Sequence, residues 1–290
     1  MNRRALGVMC GLLLAGCGQE TYERRLAETS ALYSHIQVLE DNLGGTFADS
    51  NISLRPPKQF RLVAAPKADA EGESEFDPRQ PDFVNIELPG LRASFRADLQ
   101  CGSAGGQDST QTGYLYLLSN HYLNNTPATT GTAKADEGDD LTSALKKDPS
   151  LFTETVMRGF AEALGAQSKQ GPKPNEWPKE SFPRTVAALF PVGSQNPFVQ
   201  VSLVSSEMES TIREQPYDVT AYLLAEGQTQ VLLLFVIPHD ILPAEKMRER
   251  IDLSLETLRL IGAAAAVPGP GGVPAAGAGS AGTGQPAGGL

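Results

Sequence analysis

YDVTAYLLA (residues 217–225) and QVLLLFVI (residues 230–237), joined through Glu226-Gly227-Gln228-Thr229, decide the fold. Both runs are rich in aromatic, β-branched and long aliphatic side chains. A glycine-containing turn between two such runs predicts an antiparallel hairpin. Every residue from Val231 to Ile237 is apolar. A strand with one wet face alternates, so this unbroken run predicts a strand covered on both faces. Pro238 ends it, because proline cannot donate to the ladder. Met247, Ile251, Ser254, Leu255 and Leu258 then recur at helical spacing. They predict a packing helix over about 242–260, started by Asp240 or Pro243.

Working back from this unit, residues 198–204 and 186–190 are strand candidates, and 166–182 reads as a Gly/Pro/Lys loop holding Trp177. A lone tryptophan there is expected to lid the core. Asp148-Pro149 predicts a helix start, with Asp as cap and Pro in the first turn. Phe152, Val156, Phe160 and Leu164 form its buried stripe, and Gly165 closes it. Residues 114–118 form a strand candidate, as do Ala93, Phe95 and Ala97 in alternation with polar neighbours. Val84-Asn85-Ile86-Glu87-Leu88 alternates too and predicts another strand, ended by Pro89-Gly90. Residues 67–82, 102–112 and 124–147 read as polar loops, and 52–66 as extended chain around Pro56-Pro57. The fold class expected is α+β: a mainly antiparallel sheet of about six or seven strands with at least two packing helices.

The ends differ in character. Residues 20–43 place Tyr22, Arg25, Thr29, Leu32, Ile36, Leu39 and Leu43 in one stripe, which predicts an amphipathic helix stopped by Gly44-Gly45. It packs on the following domain, or forms a short coiled coil that the Arg and Thr in its seam weaken. Residues 262–290 hold no charge and no aromatic ring, so they bury too little surface to offset ordering entropy and read as a disordered tail.

MNRRALGVMCGLLLAGC opens the chain: Arg3 and Arg4, a short apolar run, then small residues before Cys17. This is the layout of a secretory signal, with an apolar run too short to span a bilayer comfortably. Leu14-Ala15-Gly16-Cys17 resembles the bacterial lipobox. That resemblance implies a diacylglyceryl group on the Cys17 sulfur, cleavage after Gly16, and a further fatty acyl (palmitate-type) chain on the new N-terminus. At about 0.8 kcal/mol per buried methylene, two or three chains make a near-permanent anchor. The organisation expected is a signal over 1–16, an anchored helix over 17–45, an α+β domain over 46–261 and a tail over 262–290. Gly18, where an aspartate would favour inner-membrane retention, leans toward the outer membrane.

The closing unit YLLAEGQTQVLLLFVIPHDILPAEKMRERIDLSLETLRL resembles the PsbP-like family, in which a late hairpin leads into a C-terminal helix packed on the sheet. Members of that family mostly assist larger complexes without catalysis. CGQETYERRLAETSALYSHIQVLEDNL with LRPPKQF also resembles a set of uncharacterised lipoproteins seen in planctomycete-type bacteria. Neither resemblance supplies a site.

Charge narrows the partners. The chain carries −10 overall; loss of Arg3 and Arg4 leaves 22 basic against 34 acidic residues, or −12. An acidic surface repels phosphate backbones, so no nucleic-acid partner is expected. Of three cysteines, Cys10 lies in the signal and Cys17 in the lipobox, so Cys101 has no disulfide partner and is expected to be either buried or simply tolerated.

Chemistry is sparse. His35, His121 and His239 belong to no metal-ligand spacing, and no serine-elbow or phosphate-loop motif occurs. His35 lies off the helical stripe and is expected to be solvated. His239-Asp240, at a strand-to-helix corner, is the one arrangement resembling a general base with a carboxylate. Asp136-Glu137-Gly138-Asp139-Asp140 offers calcium-type oxygens without the loop spacing that ion needs. The functional expectation is a membrane-anchored, non-catalytic accessory or binding module of the cell envelope. It would need no cofactor and would meet an envelope protein or a small ligand. The alternatives are an exported hydrolase using His239 or His121, and a structural component that oligomerises through helix 20–43.

Overall fold

The computed structural model describes residues 3–49, 52–66, 77–102, 108–121, 145, 148–171, 173–185 and 198–260, with the side chains of 3–18, 183–185 and 198–201 left aside. The candidate strand at 186–190, the acidic run at 136–140 and the tail lie outside these residues.

The chain is α+β. Seven antiparallel strands form the main sheet: β3 (Arg61–Leu62), β4 (Leu91–Cys101), β5 (Ser109–Ser119), β6 (Lys179–Thr185), β7 (Phe198–Ile212), β8 (Gln215–Glu226) and β9 (Thr229–Pro238). Their spatial order is β3-β4-β5-β9-β8-β7-β6. The apolar run therefore lies at the sheet centre, paired with β5 on one side and β8 on the other. The β8–β9 turn needs the left-handed backbone of Gly227, at φ 61°.

Two cores result, one per face. Leu232, Leu234 and Val236 face one way, against Phe152, Val156 and Phe160 of helix α2 (Phe152–Leu164). Val231, Leu233, Phe235 and Ile237 face the other, against Met247, Leu255 and Leu258. Met247 and Leu255 belong to helix α3 (Met247–Glu256). Ile52 and Leu54 join this second core from a small sheet of β1 (Phe47–Ala48), β2 (Ile52–Leu54) and β10 (Arg259–Leu260). At about 2–5 kcal/mol for truncating one buried leucine, these two layers dominate stability.

α2 ends as expected, but Asp148-Pro149 starts a 3₁₀ turn ahead of it, and the helix itself has Leu151 at its cap position with no side-chain bond. Asp148 Oδ1 accepts from the Ser150 amide at 3.1 Å, Pro149 opens a 3₁₀ turn, and Gly165 closes the helix at φ 62°. Leu164 is half-buried rather than buried. Trp177 lids this face at 5% exposure, its Nε1 donating to the Gly171 carbonyl.

Four expectations fail for identifiable reasons. Val84–Leu88 is irregular rather than a strand: the Leu88 amide bonds to Gln80 Oε1 at 2.8 Å, while Phe83 packs 4.7 Å from the Tyr114 ring. Residues 109–112 are strand, not loop, because their polar side chains extend β5 along Asp98 to Cys101. Residues 179–182, placed in a loop, open β6; Pro183 is tolerated in that strand because it is an edge of the sheet. Finally, α3 is shorter than 242–260. The Gly102 amide donates to Asp240 O and the Leu242 amide to Gln100 O, which ties residues 240–242 to the end of β4. The helix starts at Met247, after a 3₁₀ turn that Pro243 opens; its cap position, Lys246, is left-handed at φ 48° with no side-chain cap, so neither Asp240 nor Pro243 caps it. It stops where Arg259 and Leu260 pair with β2.

Helix α1 (Arg3–Asn42) is a single helix that includes Leu14 to Cys17. Its stripe is only half used. Leu39 and Leu43 are buried and Leu32 and Ile36 half-buried, but Tyr22, Arg25 and Thr29 are exposed, as are Leu26 and Tyr33 off the stripe. Among the described residues no helix is long and apolar enough to cross a membrane.

Candidate functional site

β8 carries Asp218, Thr220 and Tyr222 at every second position, so all three share one face of an otherwise apolar strand. That is the α3 face, since Tyr222 belongs to the same core as Met247 and Leu255. α3 shares this core with Leu233 and Phe235, and an opening lies between it and β7 and β8. The opening is a groove of about 600 Å³ between β7, β8, the end of β9 and α3. Its apolar wall includes Ile237, Ile241, Leu242, Met247 and Ile251. Its rim and floor carry six carboxylates: Glu180, Glu207, Glu209, Asp218, Glu249 and Asp252. Against these stand Lys169, Lys246 and Arg248, with His239. The groove thus has an excess of three negative charges when His239 is neutral.

The outer end is internally paired. His239 Nδ1 lies 3.0 Å from Asp218 Oδ2, and its side chain is 57% exposed. The hydrogen bond and charge of Asp218 raise the His239 pKa above its usual value. Lys169 Nζ sits 2.9 Å from Glu209 Oε1 and 3.7 Å from Glu207 Oε2.

The inner end is different. Ser205 Oγ donates to Glu180 Oε1 in a short contact. Asp252 is half-buried, and burial pushes its carboxyl pKa up against the lowering effect of Arg248. Tyr222 is 9% exposed and stands edge-on to Phe182 and Phe235 at 6.2 and 6.0 Å. Burial pushes its phenol pKa up, and Glu180 and Asp252 push it further. Among the described residues its hydroxyl has no hydrogen-bond partner, and neither Glu180 nor Asp252 has a cation within 4.0 Å.

The residues singled out in the sequence are dispersed. His239 reaches the groove, but its carboxylate partner is Asp218 across the hairpin, not Asp240. His121 follows β5, whose Ser119 pairs with Val231 at the opposite end of β9. Seven residues at about 3.3 Å each put the two histidines more than 20 Å apart along the sheet, so they cannot share a site. His35 is not solvated: its Nε2 lies 2.9 Å from Glu256 Oε2, with side-chain exposures of 20% and 9%. Burial lowers the His35 pKa and raises that of Glu256 to about 7. Cys101 is buried, with 0% exposure, which raises its thiol pKa. Cys17 lies in α1, in the part whose side chains are not described. Among the described residues no cluster of three or more His, Cys, Asp or Glu side chains is placed to hold a metal ion.

The groove's floor was missed because a hairpin read for apolar content hides polar residues at alternate positions. The signal was present: Asp218, Thr220 and Tyr222 interrupt a buried strand on one face only. Compared with known proteins, the chain matches no family model, and no curated protein sequence matches it.

Proposed function

We propose that the chain is an exported lipoprotein, anchored through lipid on Cys17, whose α+β domain is a non-catalytic accessory or binding module of the cell envelope. The observation that carries this reading is the relation of the lipobox to α1. Between Gln19 and Ala31 every side chain is exposed except the half-buried Glu28. Packing begins only at Leu32. Fifteen helical residues at 1.5 Å each hold the domain roughly 22 Å from a lipid on Cys17. That spacing suits a tethered module that meets envelope partners or small ligands. The β8–β9 hairpin feeding α3 supports the PsbP-like resemblance, and the groove supplies a ligand site of ordinary size.

Intact mass of the native protein from a detergent extract, beside a Cys17→Ala variant, tests the anchor. The expected product begins at Cys17 with added acyl mass, and the variant lacks that mass. An unlipidated, fully soluble native product overturns the reading.

The Asp218–His239 pair on the groove supports a second reading, an exported hydrolase. There the raised imidazole would act as an acid at neutral pH, because Asp218 favours its protonated form. Turnover of an ester or amide that His239→Ala abolishes would establish it.

A further inference from the structure

The groove's two ends are unequal in charge compensation. At the outer end Asp218, Glu207 and Glu209 already have His239 and Lys169 within 4.0 Å. At the inner end Glu180 and Asp252 face the groove beside Tyr222 with no such partner among the described residues. Arg248 acts on Asp252 from the exposed first turn of α3 without forming an ion pair. The Tyr222 side chain is nearly buried, at 9% exposure, and among the described residues its hydroxyl has no hydrogen-bond partner. Here the hydroxyl opens onto the groove, where a ligand can satisfy it.

We propose that this groove binds an aliphatic amine in its protonated form. The ammonium sits between the Glu180 and Asp252 carboxylates and donates its third hydrogen to the Tyr222 hydroxyl oxygen. The hydrocarbon body lies along Ile241, Leu242, Met247 and Ile251. Charge selects the ligand class: an anion would meet six carboxylates, and a neutral alcohol would leave two half-buried carboxylates uncompensated. Size argues for a small molecule, since about 600 Å³ falls within the range of small-ligand sites. An ammonium is preferred to a hard divalent ion because no metal-holding cluster exists among the described residues. Three N–H donors also match two carboxylates and one phenol. This inference rests on the binding-module reading and names its ligand class.

The test is calorimetry on the full chain in non-ionic micelles at pH 7, with n-hexylamine, hexan-1-ol and hexanoate as probes and empty micelles as blanks. Hexylamine is expected to bind saturably at one site per chain, at least tenfold tighter than either control. Asp252→Asn and Glu180→Gln are each expected to weaken it at least tenfold, and Tyr222→Phe severalfold. Should Asp252→Asn fail to fold, the near-isosteric Glu180→Gln and Tyr222→Phe decide, with thermal unfolding confirming their integrity. Equal binding of hexanol or hexanoate, or hexylamine affinity unchanged in the folded variants, overturns the amine assignment and leaves a binding module standing. No saturable binding of any probe overturns the assignment and removes the groove's support for that module. Neither result touches the lipid anchor, which the mass measurement tests separately.

Discussion

At the scale of single residues, the contact between His35 and Glu256 couples α1 to the end of α3. Both groups are held toward their neutral forms by burial. The signs differ. Glu256 has a folded pKa of about 7 against 4.5 unfolded, so its contribution is full below 4.5 and lost as pH rises through 7. His35 has a folded pKa below 6.5, so its contribution is present above 6.5 and lost as pH falls through the lowered value. Glu256→Gln removes the alkaline loss while keeping shape. Its thermal midpoint is expected to exceed that of the unmodified chain at pH 8, with the advantage gone at pH 4.5; an equal difference at both pH values would refute the assignment. His239 gives a second check, free of stability. Its ring resonances are expected to titrate above 6.5 by NMR, and Asp218→Asn is expected to bring the midpoint down, because Asp218 supplies the raising hydrogen bond and charge. Cys101, buried at the end of β4, is expected to react with iodoacetamide only after denaturation, since burial disfavours its thiolate.

Elements show which local signals survive folding. Unbroken apolar runs were legible: residues 230–237 read as a two-faced strand because no other environment hides seven consecutive apolar side chains in so short a run. The Asp148 cap and Gly165 stop were legible because both are made from local backbone chemistry. Val84–Leu88 misled because alternation records which side chains are buried, and an irregular segment pinned by Gln80 buries alternate residues too. The ends of α3 were set by β4 and β2, partners more than a hundred residues away that no local window contains. The groove was illegible for the same reason: Glu180, Asp252 and Tyr222 line one groove only through the sheet order and the packing of α3. Turn geometry at Gly90 makes a sharper prediction. It sits at φ 70°, and an added Cβ would lie 2.5 Å from the Ser119 carbonyl oxygen and 3.0 Å from Phe152 Cε2. Gly90→Ala therefore combines backbone strain with a clash against backbone, and is expected to cost at least 1–3 kcal/mol in urea unfolding. A loss under about 0.5 kcal/mol would mean that the entry to β4 can shift.

Seen as a whole molecule, the protein is a packed two-layered sheet carried by a helix that only half belongs to it. The last turns of α1 bury Leu39 and lead into buried Leu43, His35 meets Glu256 at the end of α3, and Arg55 ties this segment down by bonding Glu40 Oε1 at 2.8 Å and the Gly44 carbonyl at 3.1 Å. The preceding turns contribute exposed Tyr22, Leu26 and Tyr33. Residues 26 and 33 are seven apart, one heptad, so they offer a seam to a second helix without providing the continuous apolar a and d positions of a stable coiled coil. A spacer and a dimer seam predict different behaviour when this part is altered. Replacing residues 22–27 with a specific protease site, in protein reconstituted on lipid vesicles, separates them. As a spacer, those residues contribute nothing to domain packing: cleavage is expected to release a folded domain into the supernatant with its thermal midpoint unchanged within about a degree. The uncleaved protein is also expected to sediment as a monomer in detergent, because two exposed residues a heptad apart bury too little surface to offset association entropy. A dimer that Leu26→Ala with Tyr33→Ala converts to monomer would instead make α1 the assembly element. A cleaved domain that stays on the vesicles would reveal a second membrane contact, and with a net charge of −12 its source would have to be apolar rather than electrostatic.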